Sequence, residues 1–253
     1  MKTRQILLMS LVLLILWQGA SMLIHLPILP TPIATYRVMF LELGGELGYH
    51  FLASLLRVVV SMLLAVSLAA PAGLVLGQSR RLDDLLSPLI YVLYPIPKVV
   101  FLPIIILFLG INDLSKIAII FVILFFQILV LVRDQARSVR PELITSVKSL
   151  GAGRRGLFRF VYLPMSIPGV LTALRQSVGT AVAVLYIAEL IATQRGLGYY
   201  IYLQGSTLFN YPKMYAGVAM MGILGFGMYL VIDILQRVLC PWMFLEQERS
   251  QAG

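Results

Sequence analysis

Apolar residues gather in six long runs along this chain, near positions 6–26, 49–77, 85–109, 117–132, 166–191 and 214–239. Each is near or above the roughly 20 residues that a helix needs to cross a bilayer, the fourth being the shortest. The pattern predicts an all-α, polytopic membrane protein of six transmembrane helices, forming a single domain over 1–253 without a linker or a soluble part. The first run follows Lys2 and Arg4 as a signal peptide would. It is too long for the usual signal core and no small-x-small cleavage site follows, so a retained helix is expected.

The longest polar interruption is 133–164, RDQARSVRPELITSVKSLGAGRRGLFRFVYLP. It holds Arg133, Arg137, Arg140, Lys148, Arg154, Arg155 and Arg159 against only Asp134 and Glu142. Basic segments between spans face the cytoplasm. With the N-terminus inside, Lys2, Arg4, Arg80, Arg81, these seven, Arg237 and Arg249 are cytoplasmic, against Arg37, Lys116, Arg195 and Lys213 outside. Both termini are therefore expected in the cytoplasm.

The break has internal order. Pro141 and Glu142 suit a helix start, where a missing N–H costs nothing and an acid meets the positive end of the dipole. Leu143, Val147 and Leu150 recur at i, i+4 and i+7 as one apolar stripe, and Gly151 stands where a left-handed C-cap would end the helix. A second basic helix is expected beyond Gly153, carrying Arg154, Arg155 and Arg159 among Leu157, Phe158, Phe160 and Val161. Two such helices either fill a groove in a cytoplasmic partner or lie along lipid headgroups.

Local signals refine the spans. Asp83 and Asp84 suit the first turn of the third, Ser115 a cap of the fourth, and Pro168 the first turn of the fifth. Gly73 with Gly77, and the cluster Gly222, Gly225 and Gly227, allow close helix approach and are read as ordinary packing within the chain.

Composition and charge sharpen the class. The chain is 60% hydrophobic and 12% charged, about half the charge of a soluble protein. Its net +9 lies between spans rather than on a continuous basic face with interleaved aromatics, which argues against nucleic acid. Cys240 is alone, so no internal disulfide or cysteine-based zinc site is available. His25 and His50 lack metal spacing and are read as interfacial residues.

Charges at membrane depth each need an account. Arg57 lies about two turns below the outer end of the second span, Lys98 mid-way in the third within Tyr94-Pro95-Ile96-Pro97-Lys98, and Glu189 near the outer end of the fifth. Prolines at that density free backbone groups that only a cavity or protein neighbours would tolerate. Either Arg57, Lys98 and Glu189 face a pathway and favour an anion, or Glu189 neutralises Arg57 or Lys98 structurally. Tyr94, Tyr186 and Gln127 are secondary pathway candidates. Arg175 and Asp233 lie near inner ends, and Asp233 has Arg237 at i+4, a structural pair.

No nucleotide site is legible. Gly73–Ser79 and Gly151–Gly156 lack the lysine and spacing of a phosphate-cradling loop, and no Ser/His/Asp or Cys/His constellation suggests catalysis.

The run TSVKSLGAGRRGLFRFVYLP resembles the EAA loop of bacterial ABC importer permeases. Gly151 holds the glycine, Val161 the isoleucine position and Leu163-Pro164 the terminal pair, while Thr145-Ser146-Val147 replaces Glu-Ala-Ala. SLLRVVVSMLLA, GLVLGQSRRLDDLLSPLI, PIPKVVFLPIIILFLGINDLSK and AELIATQRGLGYYI extend the likeness, from Ser54 to the sixth span, to the nitrate/sulfonate/taurine/bicarbonate branch.

The resemblance implies a type I, methionine/molybdate-permease-like fold in the bacterial inner membrane, working as a homodimer. Two copies of a separate ATPase would supply ATP and Mg, and a periplasmic or lipid-anchored binding protein would deliver solute. No cofactor, metal or catalytic residue would belong to this chain. Carried over, 133–164 is the coupling loop, with Glu142, Leu143, Thr145, Ser146, Val147, Leu150, Gly151, Ala152, Leu163 and Pro164 at the ATPase and Gly151 at the bend.

The expected function is the permease of an importer for a small anion such as a sulfonate, taurine, nitrate or bicarbonate. The alternative within transport is a neutral or heteroaromatic vitamin precursor. An ion-coupled secondary carrier would want two similar halves, and the EAA-like loop occurs once. A membrane enzyme would want paired acids or a histidine-rich site at one interface, and neither is present.

Overall fold

A computed structural model describes residues 3–139, 141–191 and 193–242. Lys2, Arg140 and Arg249, and the side chains of Arg4, Pro141 and Arg154, lie outside the described residues. The described residues are helical: α1 Thr3–Ile24, α2 Pro32–Glu42, α3 Glu46–Gln78, α4 Arg80–Leu93, α5 Leu102–Leu109, α6 Asp113–Arg137, α7 Pro141–Ser149, α8 Arg154–Leu157, α9 Leu163–Leu190, α10 Leu197–Tyr202 and α11 Tyr211–Leu239. A 3-10 turn, Lys98–Phe101, precedes α5, and π turns, Phe158–Tyr162 and Leu203–Thr207, follow α8 and α10.

Among the described residues α3, α6, α9 with its preceding turns, and α11 are long and apolar enough to cross a membrane. α1, a helix of 22 residues, covers most of the expected first span, and its apolar stretch among the described residues is Leu8–Ile24. One of the expected six spans changes. The third span is broken: Arg80–Leu93 and Lys98–Leu109 meet at 76°. Pro95 and Pro97 cause this, since each lacks the N–H that would continue the ladder.

Helix ends correct other expectations. Ser79 caps α4, so Asp83 lies in its first turn but Leu85 does not begin it. Asn112 rather than Ser115 caps α6, accepting the Ser115 N–H at 3.2 Å. Pro168 lies inside α9, because the helix already begins at Leu163. The second loop helix is not separate. It runs through the π turn into α9, where the Leu163 N–H reaches back to the Phe158 carbonyl. Pro164 lacks the N–H that would bind the Phe160 carbonyl, and the wider turn takes up that fault.

The chain divides into two compact units, 1–56 with 186–224 and 57–185 with 225–253. In the first, α1 and α2 form a hairpin that the apolar runs did not reveal. Thr31 accepts the Ala34 N–H at 3.2 Å with Pro32 next to it, a cap-and-proline start. Trp17 donates to the Pro30 carbonyl at 3.1 Å and stacks on Tyr215 at 5.8 Å.

The second unit is organised by α6. Ile120, Leu124, Ile128, Val132 and Ala136, four apart, are all buried. On α3 the residues four apart are Arg57, Ser61, Ala65, Ala69, Gly73 and Gly77, mostly small, so two backbones approach closely. A Cβ on Gly73 would stand 2.8 Å from the Leu129 carbonyl, and one on Gly77 2.6 Å from the Arg133 carbonyl. Ser61 Oγ meets the Ile117 carbonyl at 3.2 Å on the same seam. The other glycine cluster departs from the packing expectation: Gly222 and Gly227 have nothing within 4 Å of a Cβ, and Gly225 has only ordinary contact with Val182.

Gly77→Val should therefore destabilise the detergent-solubilised chain by about 1–3 kcal/mol, the usual cost of overpacking. Gly222→Ala should leave the unfolding midpoint nearly unchanged. Equal midpoints for the two variants would contradict the α3–α6 seam.

Candidate functional site

α7 ends in a Schellman arrangement. Gly151, at φ +84°, donates its N–H to the Lys148 carbonyl at 2.9 Å, and Ala152 donates to Val147 at 3.3 Å. A Cβ at Gly151 would meet no atom within 4 Å, so the backbone turn, not crowding, is what calls for glycine. Glu142, Leu143, Thr145 and Ser146 are exposed, Val147 and Ala152 half-buried, and Leu150 is 85% exposed. Leu163 is exposed and Pro164 half-buried where the π turn meets α9, away from the α7 stripe in sequence.

The base of this loop is clamped. Asp83, 2% exposed, takes Arg137 Nη2 at 2.7 Å on one oxygen and Arg133 Nε on the other. Arg133 also donates to Ser87 Oγ. Asp83 was expected only to complement the α4 dipole. Its larger part is to neutralise two arginines of the last turns of α6.

Lys98 lies at the break after α4, beside a cavity of about 380 Å³ lined by Tyr94, Lys98, Ile123, Phe126, Gln127 and Val184 among others. Its ammonium donates to the carbonyls of Leu93 at 2.9 Å, Tyr94 at 2.9 Å and Ile96 at 3.2 Å. It stands 4.8 Å from the Phe126 ring centre and 5.7 Å from that of Tyr94. Pro97 is the residue that would have bonded Leu93 in a helix, so Lys98 supplies the donor that Pro97 lacks. A cation also suits the negative end of α4.

Arg57, 2% exposed, donates through Nε and Nη2 to Asp113 at 3.0 and 2.6 Å, where Asp113 begins α6. Near the other end of the second unit, Asp233 takes both Arg237 and Arg175 at 2.9 Å; the i+4 pair is present and Arg175 joins it.

In the first unit Glu189 is fully buried. Its carboxylate accepts from Ser54 Oγ at 2.8 and 2.9 Å and from the Gly198 N–H at 2.9 Å. Ser54 Oγ accepts the Leu197 N–H at 2.7 Å, and His50 Nδ1 the Gly196 N–H at 2.9 Å. Three successive amides at the start of α10 thus meet three side chains. His50 is accordingly buried, not interfacial as expected; His25 is exposed.

The profile of binding-protein-dependent transport system inner membrane components matches residues 66–245. The chain belongs to this family. The taurine transport system permease protein TauC of Escherichia coli (strain K12) is 31% identical over 92% of this chain and 87% of its own length. The formylaminopyrimidine transport permease protein ThiX of Halalkalibacterium halodurans is 28% identical over 92% of this chain and 93% of its own. The inward-facing MetNI methionine ABC transporter shares the fold, with a TM-score of 0.66 and 21% identity over 74% of this chain and 93% of that one. The chain is thus an inner-membrane ABC importer permease with the type I fold, a transport subunit rather than an enzyme. Its family works with a binding protein and an ATPase.

Within this permease the predicted residues fall into separate groups. The α7 residues and Gly151 form one surface, and Lys98, Tyr94 and Gln127 share one cavity. Arg57 belongs to an ion pair and Glu189 to a buried backbone-capping cluster. Sequence reasoning missed Asp113, Ser54, Phe126 and the bridging part of Asp83. The i+4 spacing of His50 and Ser54 on one helix face was a legible signal; the long-range partners were not.

Ser54→Ala removes a donor to Glu189 and an acceptor for Leu197 together. It should cost about 1–3 kcal/mol per buried group left unsatisfied. Limited proteolysis should then cut the segment before α10 faster, and unchanged cleavage would contradict the cluster.

Proposed function

We propose that two copies of this chain form the membrane pathway of an importer for a small sulfonate-like anion. Two copies of the separate ATPase dock on α7 and the turn at Gly151, and an extracytoplasmic binding protein delivers the solute. The whole chain, 1–253, acts as one permease domain with 133–164 as its coupling loop. Both termini face the cytoplasm, in keeping with the Lys and Arg distribution.

The observation that carries this reading is the exposed apolar stripe of α7 and its turn: Leu143 on the helix is 43% exposed, and Leu150 just past its end is 85% exposed. A pre-formed apolar stripe with acid at its start and base at its end fits a groove in a partner. Glu142, Thr145 and Ser146 flank it as polar contacts, and Ala152 and, further along the loop, Leu163-Pro164 complete the proposed docking residues. Thr145-Ser146-Val147 leaves this contact without the carboxylate of the Glu-Ala-Ala pattern. ATP and Mg belong to the partner, and this chain binds neither.

For the pathway, the Lys98 cavity supports an anion, because a fixed ammonium sits beside aromatic walls and the Gln127 amide. TauC, a relative by sequence, carries taurine in its name. Arg57 and Glu189 hold helix starts rather than touching solute. A second reading is a heteroaromatic vitamin precursor: the Tyr94 and Phe126 rings offer stacking faces, and Lys98 already gives its three protons to carbonyls. Calorimetry on the cognate binding protein decides between them. Binding of taurine supports the anion; binding of formylaminopyrimidine alone replaces it with the second reading.

Two variants test the assignment in cells and vesicles. Gly151→Val forces a β-branched residue to φ +84° and misdirects the chain after α7, so uptake should be lost while membrane insertion survives. Normal uptake would contradict the coupling assignment. Lys98→Met keeps bulk and removes the charge and three donors; uptake should fall on the order of tenfold, the rate equivalent of about 1.4 kcal/mol. Uptake at the normal rate would remove Lys98 from the pathway.

A further inference from the structure

α4 is held at both ends on one face of α6. Phe126, Arg133 and Arg137 stand seven and four residues apart, so they share that face, over about 16 Å of helix axis. At its start α4 offers Asp83 and Ser87 to Arg133 and Arg137. At its end the caged Lys98 ammonium lies against Phe126. Both Asp83 oxygens are engaged and its side chain is 3% exposed, so losing a partner would leave a buried charge. The clamp lies close to the loop in sequence. The Ser138 N–H closes α6 on the Asp134 and Gln135 carbonyls at 3.2 Å, and α7 begins at Pro141.

We propose that α4 is a lever: Asp83, Arg133 and Arg137 are positioning residues that carry displacement of the α7 loop to the cavity beside Lys98. The lever rests on the reading that an ATPase docks on α7. Movement of the loop shifts the last turns of α6, the buried ion pairs move the start of α4 with them, and the 76° break at Pro95–Pro97 turns that shift into a change at the cavity. Asp83 touches no solute and no ATPase. Its part is to make the α6–α4 joint stiff, because its own burial keeps competing water from the carboxylate.

The test uses the complete assembly in membrane vesicles, with Cys240→Ser and a reporter thiol at Val99→Cys in the cavity wall. A fluorescent maleimide measures thiol accessibility with and without Mg-ATP, beside ATP hydrolysis and taurine uptake. With Asp83 present, labelling should change on adding Mg-ATP. With Asp83→Asn, hydrolysis should continue while the ATP-dependent change in labelling and the taurine moved per ATP fall on the order of tenfold, the scale of coupling between distant sites. Arg137→Gln, at a half-exposed side chain, should give a smaller fall and serves if Asp83→Asn does not insert. An unaltered labelling change in these variants would overturn the lever. So would hydrolysis and uptake falling in proportion, which is the signature of a merely structural role. Failure of the unsubstituted chain to bind any ATPase would instead overturn the docking reading and the lever with it. Binding and labelling changes without taurine uptake would count against the substrate alone.

Discussion

A bilayer core offers no hydrogen bonds, so every backbone group freed at membrane depth must find its partner within the protein. Much of this permease follows from that constraint. At the end of α4, two prolines free carbonyls, and the Lys98 ammonium takes three of them. The same holds for backbone buried within protein: at the start of α10, three successive amides are taken by Glu189, Ser54 and His50. A cation meets the negative end of one helix and an anion the positive start of another, the pairing that helix dipoles favour. Charges that look costly by position therefore stabilise breaks in the backbone.

Around the break at Lys98 α6 serves as a frame. One of its faces carries Ile120, Leu124, Ile128, Val132 and Ala136 against the small residues of α3. Another carries Phe126, Arg133 and Arg137 towards α4 and the cavity. Its start is tied to Arg57 through Asp113, and its end leads into α7. The same helix thus connects the exposed α7 helix with the irregular backbone at Lys98. Small rearrangements at its end have few ways to dissipate, because the glycine seam and the buried ion pairs leave little room for independent movement.

The fold class and the helix with its glycine turn in the polar break were legible because they depend on local patterns. Apolar runs of membrane length, a basic break, an i, i+4, i+7 stripe and a glycine after it are all written along the chain. Gly73 and Gly77 announced a close seam by their spacing alone. The broken third span was half legible: the prolines signalled freed backbone, but the direction of the bend depends on which donors replace the missing N–H groups. Lys98 does so from one residue beyond Pro97. The partners of Asp83, Arg57 and Glu189 were not legible, since 50, 56 and 135 residues separate Arg133 from Asp83, Arg57 from Asp113 and Ser54 from Glu189. Depth in a span does not disclose the contacts of Glu189, whose full burial goes with amide capping. α2 escapes the hydropathy pattern because its apolar run is short, although Thr31-Pro32 marks its start.

The account stands on this chain converting work done by another polypeptide into passage of a solute. Its most direct test is reconstitution of the purified permease in proteoliposomes with its ATPase inside and loaded binding protein outside. ATP hydrolysis should rise when loaded binding protein is added, and taurine should accumulate inside only while ATP lasts. Saturable ATP binding by the permease alone, or accumulation driven by an ion gradient without the ATPase, would contradict it.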